Sequence, residues 1–329
     1  MNRNIIKQKL KSFFAFLIIL ILFPYIVSVF ANGADIRIGS GENASYVTVR
    51  TEDADGGEQI SKVKWTDYLA GILAREIPED YEMEALKAQT VLIRTALYRE
   101  LENSEDKVLS EDYMSTAEME ARWSKEEFEE YYRTYTEAVK ATDDMVLFYN
   151  DGYAWTPFHQ SSCGMTRSAE EVTGSKEYPY LKVKECPLDK EANDEIHIYT
   201  FDYTEVLRRC RDFLVAEEGE EKAEQGYSFS DFEILETDSA GYVSSLRIGQ
   251  TTCTGDQFRD ALGLSSSAFS FSEKGDALQI TTTGNGHGLG MSQWTANEMA
   301  KEGSTCEEIL NFFFEGTTIN TEIQETELL

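Results

Sequence analysis

The hydrophobic pattern changes period several times along the chain, and each change marks an element. It begins with an apolar run, residues 13–30, that contains no charged residue and follows Arg3, Lys7, Lys9 and Lys11. A basic flank followed by an apolar run is the pattern of a signal peptide or an uncleaved signal-anchor. The run is just short of the roughly 20 residues of a comfortable membrane helix. Val29-Phe30-Ala31 offers a place for cleavage. The charges before the run favour an N-terminus kept in the cytoplasm and a remainder outside it. Residues 1–34 are therefore expected to be a leader or anchor and 35–329 one exported domain. The chain would then be a single-pass membrane protein, or a secreted one where the signal is cleaved.

Beyond the run, Ile36-Arg37-Ile38 and Tyr46-Val47-Thr48-Val49 alternate and are bounded by Gly, Asn and Asp, as short strands are. Thr66 or Asp67 can cap a helix through Tyr68 to Arg75, with Pro78 as its stop. A second helix is expected over about 84–101. A third, very acidic one, over 116–141, reads as an inserted or peripheral element. Met145-Val146-Leu147-Phe148-Tyr149 reads as a strand turned by Asn150-Asp151-Gly152. Further helix is expected at 205–218 and strands at 232–235, 243–248 and 278–282. Two helices finish the chain. Ser304-Thr305-Cys306-Glu307 reads as a capping box for the last, with Ile309, Leu310, Phe313 and Phe314 as its apolar face and Gly316 as its stop. The class is α+β.

Charge narrows the partners. The net charge is −30, and without the N-terminal basic cluster the remainder is more acidic still. Such a charge opposes binding to nucleic acid and to anionic headgroups. Most of the acids, concentrated in 118–137 and 217–224, read as solvated surface. The apolar share is ordinary, so a core can form. Cys163, Cys186, Cys210, Cys253 and Cys306 all follow the apolar run, on the side where disulfides persist. An odd count leaves at least one thiol outside a pair. Cys210 and Cys306 fall on expected helices and suit buried apolar positions.

Four groups of residues carry candidate chemistry. Glu76 ends the first helix, at its negative pole, where the charged form of a carboxyl is disfavoured. A general acid working near neutral pH needs a proton held in that way. Arg75 would act in the opposite sense if its side chain turned to Glu76. On spacing alone, Glu76 is one more acid at a helix end. The second helix is apolar nearly all round, yet Lys87, Thr90, Arg94 and Tyr98 fall on one stripe. Either that stripe pairs with acids for structural reasons or it lines a polar cleft. Gly284-Asn285-Gly286-His287-Gly288-Leu289-Gly290-Met291-Ser292-Gln293 leaves a strand and enters a helix that Ser292 can cap. His287, framed by glycines, is expected to be open to a substrate. The lysine of a phosphate-binding loop is missing from it. Finally, His159-Gln160-Ser161-Ser162-Cys163 with Cys186 could supply three zinc ligands and an open position, or Cys163 and Cys186 could close a disulfide. Cys163 beside a histidine also fits a thiol hydrolase, though no orienting partner is recognisable.

At these residues the chain resembles a known family. Tyr68-Leu69-Ala70-Gly71-Ile72-Leu73-Ala74-Arg75-Glu76-Ile77-Pro78, followed by Glu84-Ala85-Leu86-Lys87-Ala88-Gln89 and Arg94-Thr95, is similar to the opening motif of stage II sporulation protein D and the related amidase-enhancer proteins. Gly286-His287-Gly288-Leu289-Gly290-Met291-Ser292-Gln293 looks like their C-terminal signature. Pro179-Tyr180-Leu181, the segment from Phe258 to Leu264, Glu308-Ile309-Leu310 and Gly316-Thr317 follow the family's order, so the resemblance runs from about residue 45 to 320. Thr295-Ala296, and the single Gly164 before Met165, depart from its usual pattern.

The resemblance implies a peptidoglycan lytic transglycosylase that cuts glycan strands already stripped of stem peptides and leaves 1,6-anhydro-muramic ends. Its catalytic glutamate maps onto Glu76. Lys87, Gln89, Arg94, His287, Ser292 and Gln293 are then candidates for the glycan cleft. No cofactor is required by this chemistry, although some members look like zinc binders, which bears on His159, Cys163 and Cys186. A peptide-removing amidase and a membrane partner of an engulfment complex are the implied associates. The family's other branch implies a second reading, a non-catalytic wall-binding module that enhances a separate amidase. The zinc or thiol hydrolase built on His159 and Cys163 is a third.

Overall fold

The computed structural model describes residues 45–52, 57–142, 144–192, 195–214 and 226–321, all within one compact unit, Ser45–Leu329. The expected leader or anchor over 1–34, the strand at Ile36-Arg37-Ile38 and the acidic run at 217–224 lie outside the described residues. Among the described residues no helix is long and apolar enough to cross a membrane.

The unit is α+β. Strand β1 (Tyr46–Glu52) pairs antiparallel with β2 (Glu58–Lys64). The chain passes from β2 directly into α1 (Trp65–Glu76), whose N-cap is Lys64 with no side-chain cap bond. The cap expected at Thr66 or Asp67 is therefore absent. Packing starts the helix instead: Trp65 is buried and stacks on Tyr98 at 5.4 Å between ring centroids, and tertiary burial outweighs local capping in most helices. Helix α2 (Met83–Asn103) follows, then β3 (Val108–Leu109), which joins β1 in parallel.

The acidic stretch expected as one peripheral helix is two helices, and the second belongs to the core. Helices α3 (Thr116–Arg122) and α4 (Lys125–Ala141) each open on a capping box, Ser115 with Glu118 and Ser124 with Glu127. That reciprocal bonding is what starts a new helix at Lys125. Helix α4 buries Tyr135, Ala138 and Val139 in the cluster that surrounds α1, and Tyr135 donates its hydroxyl to Ile77 O at 3.0 Å.

Strands β4 (Val146–Tyr149) and β5 (Gly152–Tyr153) form the expected hairpin. Asn150 and Asp151 both hold positive φ, 50° and 63°, as the turn with the right twist for a two-residue loop requires. Strand β6 (Phe158–His159) and the short helix α5 (Ala169–Thr173) lead to a 3₁₀ turn, Pro187–Glu191. A second packing centre is then built from β7 (Ile196–Asp202), α6 (Tyr203–Cys210), β8 (Phe232–Thr237), β9 (Val243–Ile248), β10 (Thr251–Cys253), α7 (Gly255–Leu262), β11 (Phe269–Lys274) and β12 (Ala277–Thr283). It holds two antiparallel sheets, ordered β11-β12-β7 and β10-β9-β8. The helix expected at 205–218 thus begins two residues earlier and ends at Cys210. The strand at 243–248 has the expected bounds and the other two run slightly longer.

The chain returns to the first half at β13 (Met291–Ser292), which pairs in parallel with β6. Helices α8 (Gln293–Lys301) and α9 (Cys306–Phe313) then pack on α2, and β14 (Thr318–Asn320) adds to β4. The last helix starts one residue later than expected: Thr305 is its N-cap, and the box closes with Glu308. Ile309, Leu310, Phe313 and Phe314 are buried as anticipated. Thr305→Ala is expected to cost about 1 kcal/mol, read as a lower urea midpoint at unchanged slope.

Candidate active site

Glu76 is the last residue of α1 and is half-buried. Burial pushes its carboxyl above the usual range, Arg75 opposes that push and Asp112 adds to it. The direction expected from the sequence is found, but its leading cause is desolvation. Arg75 does not turn to Glu76. Its guanidinium bonds Asp112 at 3.0 Å.

The C-terminal signature reaches this helix end. The Gln293 amide donates to Glu76 O at 2.9 Å and to Gln89 Oε1 at 3.2 Å. One side chain therefore ties the end of α1, the buried face of α2 and the first turn of α8 together. Gln293 sits where it does because Ser292 caps α8, accepting from Thr295 N. The Ser292 hydroxyl in turn donates to Asp189 Oδ1 at 2.8 Å. Asp189 is fully buried and also takes the Thr295 hydroxyl at 2.6 Å and the Ser162 backbone N–H at 2.6 Å. Beside this frame lies a groove of about 310 Å³ lined by Pro78, Asp80, Tyr81, Gln160, Asn285 and Trp294. Pro78 is two residues past Glu76, and Trp294 follows Gln293, so two of the lining residues are near neighbours in sequence of the Glu76–Gln293 contact.

The polar stripe of α2 does not line this groove. Arg94 is completely buried and spends its guanidinium on Val139 O, Thr142 O, Thr142 Oγ1 and Met145 O. It neutralises the C-terminal carbonyls of α4, where a cation is favoured. Lys87 bonds Glu84 at 2.6 Å, and Glu84 in turn accepts from Cys306 N at the start of α9. Thr90 bonds back to Leu86 O, and Tyr98 packs against Trp65. Of the stripe's two cations Lys87 pairs with an acid, as the structural reading has it, whereas Arg94 is held by carbonyls, and neither is among the residues that line the groove. Gln89 is placed beside Glu76 through Gln293, and Ser292 acts through Asp189 rather than at the groove.

The glycine-rich segment is a shaped backbone, not an open loop. Gly290 holds φ +71°, and a Cβ there would run into the Pro157 carbonyl. Gly290→Ala is expected to cost about 2 kcal/mol and to lower the thermal midpoint by several degrees. His287 is half-buried: its Nδ1 accepts from Leu289 N at 3.0 Å, and its ring lies 5.8 Å from that of His159. Burial first, and then His159, lower it to about 4. The histidine expected to be open to a substrate is half-buried and neutral. Arg167 holds the segment from below, with Asp238 at 2.7 Å, Asp256 at 2.9 Å, the His287 carbonyl at 3.3 Å and the Tyr242 ring beneath its guanidinium.

His159, Cys163 and Cys186 do not converge. Among the described residues no three His, Cys, Asp or Glu side chains are grouped to hold a metal ion. His159 Nδ1 faces Leu289 O, and burial lowers the ring to about 4. Cys163 donates to Ala240 O at 3.3 Å. Cys186 is buried against Asp189, and its thiol is pushed up to about 12 by burial, then by that carboxylate. Zinc needs thiolates, and both environments resist them, so these residues do not fit a zinc site. The Cys163–Cys186 disulfide is not formed either, since both are free thiols, as are Cys210, Cys253 and Cys306. Burial and Asp238 push the Cys163 thiol up, the reverse of an activated nucleophile.

Asp189, Arg167, Glu111 and Asp112 were not marked by any sequence signal beyond their charge. An α+β domain with an acid at a helix end, held from its C-terminal signature, is the arrangement to set beside known proteins. A family described as stage II sporulation protein matches residues 53–149. Stage II sporulation protein D of Bacillus subtilis (strain 168) is 30% identical over 275 residues, covering 80% of this chain and 76% of the relative. Its namesake in Bacillus amyloliquefaciens is 28% identical over 272 residues, with 79% and 75% covered. An uncharacterized protein of Brachyspira hyodysenteriae is 31% identical over 267 residues, with 79% and 67% covered. The chain belongs to the stage II sporulation protein D family.

Proposed function

We propose that the chain is a peptidoglycan lytic transglycosylase that acts in sporulation, on glycan strands from which stem peptides have been removed. One observation carries the reading. Glu76 is a half-buried acid whose proton is favoured by desolvation, at the end of a helix that Gln293 fixes by its last carbonyl. Such an acid protonates the glycosidic oxygen of a bond laid along the adjoining groove. As carboxylate it then takes the proton of the C6 hydroxyl while that oxygen closes on C1, which leaves a 1,6-anhydro end. One carboxyl group performs both transfers, so the paired acids of ordinary glycosidases are not needed. Gln293, itself bonded to Gln89, holds the helix end by the Glu76 carbonyl, while Gln160, Asn285 and Trp294 offer polar and aromatic surface to a sugar chain. The basic flank and apolar run at the N-terminus support a tethered domain outside the cytoplasm, working after a peptide-removing amidase.

The test is digestion of peptide-free glycan followed by mass spectrometry. Anhydro-muramic ends that appear with time support the reading. If the wild-type protein forms none, yet a purified amidase speeds up when it is added, the enhancer reading takes its place.

A further inference from the structure

Arg75 and Glu76 are adjacent, and a guanidinium beside an acid draws off its proton. The loop after β3 is built against that outcome. It lies along the α1 face that carries Tyr68, Gly71 and Arg75. The Tyr68 hydroxyl donates to Glu111 O at 2.9 Å, and Met114 N donates to Gly71 O at 3.1 Å. Asp112 takes the Arg75 guanidinium at 3.0 Å. Only glycine permits this approach, because a Cβ at position 71 would meet Met114 O and the Tyr113 ring. The loop therefore brings Glu111 and Asp112 to the end of the helix that carries Glu76. Asp112 adds to the upward push on the Glu76 carboxyl that burial begins, while Arg75 opposes it.

We propose that Asp112 is a positioning residue that keeps the proton on Glu76 by engaging Arg75. The inference rests on the proposed role of Glu76 as the general acid. The charged and titratable groups around this corner are Arg75 and Tyr68 from α1, Glu100 from α2, Glu111, Asp112 and Tyr113 from the loop and Glu118 from α3. Arg50 and Glu58 line the same cavity, of about 550 Å³, from β1 and β2. Arg50 is engaged by Glu58 and Asp106, and Arg75 is the cation whose charge acts on Glu76 among the described residues. The Arg75–Asp112 pair is largely exposed, at 50% and 77% of the two side chains, so it adds little to stability. Its effect is on where the guanidinium sits.

The experiment is a carbon-13 NMR titration of the full chain in detergent, following the carboxyl resonance that disappears in Glu76→Gln. Asp112→Asn is expected to move its midpoint to lower pH, by about one unit, a tenfold loss of protonated Glu76 at a given pH above the midpoint. Adding Arg75→Ala to Asp112→Asn is expected to bring the midpoint back. A midpoint that stays put in Asp112→Asn overturns the role of Asp112. A shift in Asp112→Asn that persists without Arg75 overturns the holding of the guanidinium. The Asp112→Asn substitution is near-isosteric and exposed, and the native NMR spectrum reports its folding. Product formation from peptide-free glycan is followed on the same samples. Its absence in the wild type would count against the transglycosylase reading, while the titration still decides the question of the proton.

Discussion

Glu76→Gln is expected to slow the formation of anhydro-muramic ends by about 10²–10⁴-fold, with no comparable loss of fold. Glutamine keeps the shape of the side chain and cannot give or take the proton. The frame around it is untouched, because Gln293 bonds the backbone carbonyl of residue 76 and not its carboxyl. The helix also loses no buried ion pair, since Arg75 is paired with Asp112. A time course of products by mass spectrometry, beside a thermal melt of the same sample, separates chemistry from folding. The pH dependence carries a second signature. A general acid works while protonated, so the wild-type rate falls as pH rises through the Glu76 value. Burial places that value above the ordinary carboxylate range. A Glu76→Gln protein that retains full rate would remove the acid role from this residue.

The contrast between Glu76 and Arg94 shows how much of the site the sequence made legible. Both stand in the opening motif, and both are polar residues on otherwise apolar helices. For Glu76 the helix end was readable from Pro78, and the protonated state followed in direction. Its cause was not readable, because desolvation depends on what packs over the helix end. For Arg94 the stripe was visible, but its partners are carbonyls at the end of α4, and a backbone oxygen leaves no trace in a residue pattern. The surroundings of His287 were hidden for a related reason. Flanking glycines promise access, yet here their positive φ values fold the backbone tightly against Pro157 and His159. The acidic stretch misread as one helix did carry its signal: Ser124 followed by Glu127 is a capping box, overshadowed by the density of charge around it. The strands at 232–237, 243–248 and 277–283 came through, since alternation records burial directly, whereas β7, β10, β11 and α7 were not anticipated. Asp189 was not marked either, because nothing local separates it from the chain's other acids.

Asp189→Ala is expected to destabilise the domain by about 3–5 kcal/mol, since removing this acceptor strands up to three buried donors at about 1–3 kcal/mol each. The carboxylate is fully buried and has no ion-pair partner among the described residues. Hydrogen bonds from the Ser292 and Thr295 hydroxyls and the Ser162 backbone N–H satisfy it instead. It also stands at the N-terminus of α8, where the helix dipole favours a negative charge. Urea unfolding near neutral pH should show a much lower midpoint at unchanged slope. Asp189→Asn separates the parts of this balance. Its amide oxygen can still accept from Ser292 and Thr295, while its NH₂ would face the Ser162 N–H, so an intermediate loss is expected. The same variant bears on the site, because Ser292 directly precedes Gln293, the residue that holds Glu76. A folded Asp189→Asn protein should therefore form products more slowly than its stability alone accounts for. A rate that stays at the wild-type level would uncouple the α8 N-terminus from the acid.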